Sequence, residues 1–229
     1  MIRRTSGLVS FLVNGLFLVA GGSTLLTASC AGEDTVEGLE AGAPADFSEE
    51  IRNELSPTGV RVTHAGSLLA DFWFRSAVPT GAPRQEEGVL YGALKSGSLL
   101  GVLRIHAAGR DYRAQKLPAG LYTLRYDVQP DDGEHLNLTE SRDFLLLCAA
   151  ADDRRPLTLG EDELHKLSAK LHQKKHPAVL FLVAANDGPG TRVRSRDEHQ
   201  KLLLDVDVAT TAGKPLRLTI VVVGRYKEG

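Results

Sequence analysis

Short stretches in which apolar and polar residues alternate constrain the fold of this chain more than any other feature. In "GLYTLRYDV" every second residue from Tyr122 to Val128 is apolar, and "QKLLLDVDVATT" repeats the pattern from Leu202 to Val208. A period of two is typical of a strand with one buried face. The same pattern in "LLADFWFRS" places Phe72 on the apolar side of a third strand.

Other runs, "SLLGVLRI", "DFLLLCAA" and "AVLFLVAA", are apolar throughout and suit central strands. The clusters "PTGAP", "QPDDGEH" and "NDGPG" are typical of turns, and "TTAGKP" of a hairpin loop. Roughly nine or ten short strands at this spacing favour an all-β fold. We therefore predict a single antiparallel β-sandwich, jelly-roll or Ig-like, over residues 58–229.

One segment, "LTLGEDELHKLSAKLHQKKH", has helical spacing instead, because Leu164, Leu167 and Leu171 recur every three or four residues. Thr158 and Glu161 have the spacing of a capping box. The sequence therefore predicts one amphipathic helix packed across an edge or an open end of the sandwich.

The N-terminus resembles a secretory signal, with two arginines, an apolar centre and small residues at its end. Cys30 follows Ala28 and Ser29, so the segment resembles a bacterial lipobox, although Thr27 stands where an aliphatic residue is usual. Three interpretations stay open for residues 1–30: a signal cleaved before a lipidated Cys30, an uncleaved membrane anchor, and a signal cleaved to release a secreted protein. We expect lipidation of Cys30 and a membrane-anchored protein on the periplasmic or extracellular side of the bacterial envelope.

Residues 31–57 are rich in Gly, Ala, Glu and Asp and contain few large apolar side chains. Such a composition buries little surface against its conformational entropy. The segment is therefore predicted to be a flexible tether, with a short helical turn near "FSEEIRNEL".

The stretch "KLPAGLYTLRYDVQPDDGEH", together with "LLADFWFRS" upstream, resembles an uncharacterised family of secreted bacterial β-sandwich proteins that carry a P-A-G-x-Y-x-L hairpin. The resemblance covers about residues 60–150. Where members of that family have a Trp-Arg-Thr-Gly-Ala-Asn stretch, this chain has "LYGALKSGSL". The resemblance implies an envelope location and supplies no catalytic residues.

Trp73 is the single tryptophan of the chain, and the alternation places it on the polar side of its strand with Asp71 and Arg75. An exposed aromatic ring between charged groups can stack on a sugar or anchor a protein partner. These three residues are the candidate ligand-binding site. The alternative interpretation is that a helix or a loop covers this face.

A metal site is the alternative function, because His165, His172 and His176 fall within a narrow arc of the predicted helix. A solvated polar flank explains the same three residues. Asp205 and Asp207 form a carboxylate pair on one strand face, and an outward polar stripe explains them equally well. The sequence has no G-x-S-x-G motif, and Cys148 lies in an apolar run that indicates a buried side chain.

The charge distribution argues against a nucleic-acid partner, since the net charge is -2 and no basic block is present. We therefore expect a non-enzymatic, envelope-tethered binding module without a cofactor. Its expected partners are the membrane, through the lipid or N-terminal anchor, and an envelope protein or glycan. The remaining alternatives are a metal-binding protein or metal-dependent enzyme, and a structural or assembly protein.

Overall fold

The computed structural model describes residues 32–111, 114–130, 140–171, 176–196 and 201–224. These residues belong to one compact unit that begins after Cys30. The predicted signal segment, residues 1–30, lies outside them. In chain order the elements are β1 (Thr35–Leu39), α1 (Glu49–Arg52), β2 (Gly59–His64), β3 (Ser67–Phe74), β4 (Leu99–Ile105), β5 (Gly109–Arg110), β6 (Lys116–Leu117), β7 (Gly120–Val128), β8 (Asp143–Ala149), α2 (Glu161–Ala169), β9 (Ala178–Phe181), β10 (Arg192–Arg196), β11 (Lys201–Val208) and β12 (Leu216–Val223).

Seven strands form the larger sheet, in the order β1-β2-β3-β4-β7-β8-β9, and every pairing is antiparallel. Strands β2 and β3 form a hairpin whose tip residues, Ala65 and Gly66, have φ angles of 48° and 73°. Two positive φ angles in a two-residue loop are the conformation of a type I′ turn, which matches the twist of the flanking strands. This hairpin end lies beside Gly32, at the start of the described chain.

Strands β10, β11 and β12 form a second antiparallel sheet, and β5 and β6 form a small separate hairpin. The larger and the three-stranded sheets meet at two places. A bridge joins Leu182, just after β9, to Ile220 in β12. On the other side, Ser195 Oγ in β10 donates to Asp34 Oδ2, just before β1, at 2.7 Å.

One hydrophobic cluster takes side chains from both of these sheets. Every second residue of β7 and β11 contributes to it, including Tyr122, Leu124, Leu204 and Val206. The alternation in the sequence therefore predicted the inward faces of these strands correctly. The three runs that are apolar throughout form β4, β8 and β9, and each has buried residues on both faces.

The outer face of the larger sheet is also covered, by two segments of the chain. Helix α2 packs on β8 and β9, where Leu164 joins a cluster with Leu146 and Phe181. The segment around α1 packs on β3 and β4, where Ile51 joins a cluster with Trp73. The residues that the alternation predicted to face water on β7 are therefore buried.

The expected flexible tether over residues 31–57 is wrong for its described part, residues 32–57. This segment adds β1 to the sheet edge and then forms the predicted helical turn as α1. The segment contributes three buried side chains, Phe47, Ile51 and Leu55, with exposed fractions of 1%, 0% and 6%. Three well-placed apolar side chains bury enough surface to fix a segment whose average composition is polar and small.

Helix α2 confirms the predicted helical segment but not its predicted start. The N-cap residue is Gly160, which makes no side-chain cap, so Thr158 and Glu161 do not form a capping box. Leu164 is buried, as its spacing predicted, and Leu167 is partly buried against the same cluster. Neither α1 nor α2, the helices of the described ranges, has the length and apolar character needed to cross a bilayer.

The fold is mostly β with antiparallel sheets, as the sequence predicted. The described residues form twelve strands, where nine or ten were expected, and two helices, where one was expected. Two of the strands, β5 and β6, have only two residues each.

Candidate functional site

Trp73, the centre of the candidate ligand-binding site, is not at the surface. Its exposed fraction is 3%, and its Nε1 donates to Ala41 O at 2.7 Å. Gly59 lies so close that a Cβ there would stand 2.6 Å from Trp73 Nε1. The expectation of an exposed aromatic face is therefore wrong, because the segment before β2 covers this face of β3. Covering by a loop was the alternative interpretation of the same pattern.

Asp71 shares the outer face of β3 and is also buried, with an exposed fraction of 1%. Arg61 donates to both of its oxygens, at 2.8 and 3.1 Å, and His106 Nε2 lies 2.8 Å from Oδ2. Burial would raise the pKa of Asp71, but the hydrogen bonds from Arg61 and His106 outweigh it and lower that pKa. Asp71 thus links β2, β3 and the end of β4, and its oxygens are engaged within the fold.

Arg75, the third member of the predicted site, comes directly after β3 and is partly buried. Its Nη2 donates to Glu54 Oε2 at 2.5 Å, and Arg75 lines a cavity of about 400 Å³ together with polar and apolar residues, among them Ser56 and Asp207. The structure therefore does not bring Asp71, Trp73 and Arg75 together into one ligand-binding face.

The three histidines considered as metal ligands under the alternative function are not assembled within the described residues. His165 Nε2 lies 3.0 Å from Asp127 Oδ2, across α2 and β7. His176 is exposed near the start of β9, and His172 lies outside the described residues. In the part of the chain that the structure describes, no group of three or more His, Cys, Asp or Glu side chains is arranged to hold a metal ion.

The carboxylate pair on β11 separates into two environments. Asp205 is fully buried and accepts hydrogen bonds from Arg192, Arg194 and Thr219. Burial would raise the pKa of Asp205, and these donors lower it by more. Asp207 is exposed and pairs with Arg217 at 2.8 Å. The two carboxylates are each held by arginine and have different exposure, which does not support a shared catalytic role.

Cys148 is buried on the outer face of β8 beneath α2. Burial raises the pKa of its thiol to about 12. A thiol in this state is not a nucleophile at neutral pH, because the reactive form is the thiolate. The prediction that Cys148 is a buried apolar side chain is confirmed.

The feature that the sequence did not indicate is an apolar cavity of about 220 Å³ between the two sheets. Apolar side chains of β3, β4, β6, β9 and β12 surround it. Its main apolar lining residues are Leu69, Ala70, Phe72, Leu103, Ile105, Leu117, Leu180, Val222 and Val223. Phe72, Leu103 and Leu180 are buried, whereas Leu69, Val222 and Val223 are partly exposed, so the cavity reaches the protein surface.

The mouth of this cavity is formed by the β5–β6 hairpin and the end of β2. His64, Ala107, Gly109 and Arg110 lie on its rim. Gln115 holds the hairpin in place, because its Nε2 donates to Asp111 Oδ2 at 2.8 Å and also to Pro177 O, just before β9, at 3.1 Å. An open apolar cavity with a polar rim is suited to binding the apolar part of a small ligand.

The alternation predicted the individual residues that face this cavity, such as Phe72, but not the space between them. A cavity depends on the distance between sheets and on which side chains fail to fill that distance. Those quantities arise from contacts between residues far apart in sequence. The short hairpin that forms the rim has only two-residue strands and leaves no periodic pattern.

Comparison of this chain with protein-family models, with curated proteins and with solved structures gave no match.

Proposed function

We propose that this chain is a non-enzymatic binding protein of the bacterial cell envelope, and that it takes the apolar part of a small lipid-like ligand into the cavity between its sheets. The apolar cavity of about 220 Å³ is the observation that carries the proposal. Trp73, Asp71 and Arg75 have no role in it as a binding face, because Trp73 and Asp71 are buried.

The size and lining of the cavity support a small apolar ligand. An engineered apolar cavity of about 150 Å³ stays dry and binds benzene. Binding of an apolar ligand in a larger apolar cavity is therefore expected to be favourable, because it removes apolar surface from water. The volume lies below the range of about 300–1,000 Å³ that is usual for whole drug-sized ligands. A single alkyl chain, with its head outside the mouth, matches this space better than a two-chain lipid does.

We further propose that the two larger sheets are the layers of one antiparallel sandwich. The hydrophobic cluster shared by both sheets and the Leu182–Ile220 bridge support this arrangement. The cavity then lies between the layers, since Val222 and Val223 of β12 and Leu69 of β3 all line it.

The envelope location rests on the N-terminal sequence, in which Cys30 is the predicted lipidation site. Gly32 packs against Ala65 at the tip of the β2–β3 hairpin, and the adjacent His64 is on the cavity rim. A protein held at the membrane by a lipid on Cys30 would meet membrane lipids, and this favours a ligand of that class.

Binding can be tested with 1-N-phenylnaphthylamine, an uncharged dye that becomes fluorescent in apolar surroundings. We expect saturable binding by the wild-type protein and loss of binding by Ala70→Leu, since Ala70 lines the cavity and a larger side chain fills it. Urea unfolding of the variant checks that it remains folded. Val223→Trp, at a partly exposed residue of the cavity lining, is a second blocking variant.

The matched control is Ala212→Leu, the same substitution in the exposed turn between β11 and β12. It should bind the dye as the wild type does. Equal dye binding by folded Ala70→Leu, folded Val223→Trp and the control would contradict the proposed function.

The location is tested separately, by the mass of the N-terminal peptide of protein taken from the membranes of its native host. A diacylglycerol-modified Cys30 is the expected result. An intact Met1 or an unmodified new N-terminus would contradict lipid anchoring and leave the cavity proposal to its own test.

A further inference from the structure

We infer that the cavity prefers a single-chain amphiphile with an anionic oxygen head, such as a fatty-acid carboxylate or an alkyl phosphate, and that Arg110 binds the head. This inference rests on the proposed function and adds the chemical class of the ligand. It comes from the charges on the cavity rim.

The ionisable residues that line the cavity are both basic. Among the thirteen described lining residues, two are ionisable, His64 and Arg110, and the other eleven are glycine or apolar. No carboxylate is among these lining residues. An apolar interior with a basic rim is complementary to an apolar tail with an anionic head.

Arg110 has donors available for such a head. It is exposed at the mouth, and its Nη1 donates to Ala114 O at 2.6 Å, which holds the guanidinium on the hairpin. The described residues provide no acceptor for its Nε or Nη2. A guanidinium matches carboxylate and phosphate oxygens with paired N–H donors, and it does so best where nearby apolar surface lowers the dielectric.

Asp34 contacts the rim residue His64, Asp111 follows Arg110 in the chain, and both carboxylates are engaged in the fold. Asp34 Oδ1 accepts hydrogen bonds from Ala65 N at 2.9 Å and pairs with His64 Nδ1 at 2.8 Å. Asp111 is buried, and its two oxygens accept from Gln115 N and Nε2 at 2.8 Å each. Asp34 thus positions His64 on the rim, and Asp111 holds the hairpin that presents Arg110.

The test compares ligands that share a tail and differ in their heads. Decanoate, decyl phosphate, decanol and decyltrimethylammonium, each below its micellar concentration and at about pH 7, compete with 1-N-phenylnaphthylamine for the full-length protein. We expect both anions to bind more tightly than the cation. Arg110→Gln should weaken both anions about fivefold, about 1 kcal/mol, and leave decanol unchanged.

Arg104→Gln is the matched control, because it removes the same charge from β4 near the same end. Arg104 lies between Leu103 and Ile105, which line the cavity, so its side chain is on the opposite face of the strand. The control should leave the affinity for both anions unchanged. Far-ultraviolet circular dichroism confirms that both variants are folded.

The possible outcomes separate the two proposals. The inference about the head is wrong if decanol binds but the anions bind no more tightly than the cation. It is also wrong if Arg110→Gln and Arg104→Gln lower the affinity for the anions equally. In both cases the cavity proposal stands. If none of the four amphiphiles displaces the dye and the dye itself does not bind, the proposed function is wrong.

Discussion

Arg125 is the residue whose surroundings differ most from its sequence context. The alternation of β7 placed it on the side that faces water, yet it has an exposed fraction of 0%. It donates to Asp153 through Nε and Nη2, at 2.5 and 2.8 Å, and to the carbonyls of Gly97, Arg155 and Leu157. All five of its N–H donors are thereby used. The ion pair between Arg125 and Asp153 fixes the segment after β8 against the outer face of the sheet.

Replacing Arg125 by Met should therefore destabilise the protein strongly. The change leaves Asp153 buried without its cation, and breaking a buried pair in this way costs about 3–5 kcal/mol. Urea unfolding measures the loss. Arg155→Met is the control, because Arg155 is 59% exposed and pairs with Glu163 at 3.1 Å, so its loss should cost less than about 1 kcal/mol. Similar losses in the two variants would contradict a structural role for the buried pair.

His165 gives the protein a pH-dependent contact between α2 and β7. The hydrogen bond to Asp127 is the largest cause that raises the pKa of His165, and the nearby Glu161 and Asp162 add to it. A raised pKa in the folded state means that the contact stabilises fully below the unfolded pKa of about 6.5. That stabilisation is lost as the pH rises through the higher folded pKa.

We therefore expect the free energy of unfolding of His165→Gln to fall below that of the wild type at about pH 5 and to approach it at about pH 9. Urea unfolding at several pH values measures this difference. Asp127→Asn should reduce the same pH-dependent difference, since it removes the carboxylate partner. A constant difference between wild type and His165→Gln across this range would contradict the assignment.

At the scale of elements, the segment before β2 is where the structure differs most from the prediction. Its composition predicted a tether, but β1 pairs with β2 along five residues and α1 covers Trp73. Ser48 caps α1, with its Oγ accepting from Ile51 N at 3.4 Å, and its hydroxyl also donates to Arg154 O. This segment therefore belongs to the folded domain and also contacts the segment after β8 through Arg154.

Ile51→Ala tests whether this segment contributes to stability. Ile51 is fully buried, so its truncation should cost about 2–5 kcal/mol, measured by urea unfolding with Trp73 fluorescence as the probe. Glu50→Ala, on the exposed side of the same helix, should stay within about 0.5 kcal/mol of the wild type. A small loss in Ile51→Ala would mean that the segment is held only weakly.

At the scale of the whole molecule, the two larger sheets share one core, and α2 and the α1 segment cover separate parts of the outer face. Cys148 lies under α2 and reports on this arrangement, because labelling its thiol requires the cover to open. The measured free energy of that opening distinguishes local movement of α2 from unfolding of the whole domain.

We expect Cys148 to be protected from thiol reagents until the domain unfolds as a unit. In a Cys30→Ser variant Cys148 is the single thiol, since the chain has two cysteines. The free energy of exposure from labelling rates in urea should then equal the free energy of unfolding from fluorescence. A clearly smaller value from labelling would show that α2 opens on its own.

How much of the fold could be predicted depends on how local the determining interactions are. The inward faces of β7 and β11 and the helical segment that contains α2 follow from periods of two or of 3.6 in single segments. The burial of Cys148 follows from a continuous apolar run, and all of these features were predicted. The burial of the opposite faces of these strands was not predicted. Arg125 and Asp205 have the same local pattern as solvated residues, and only partners such as Asp153 and Arg194 make their burial stable.

The sequence by itself determined that this is a mostly β protein with antiparallel strands, because side-chain alternation and turn residues act within a few positions. The tertiary structure alone decided that Trp73 is covered, that residues 32–57 are folded, and that a cavity opens beside Arg110. Each of these depends on segments far apart in the chain that exclude water together. Burial and cavity volume are properties of such assemblies, so no single stretch of sequence specifies them.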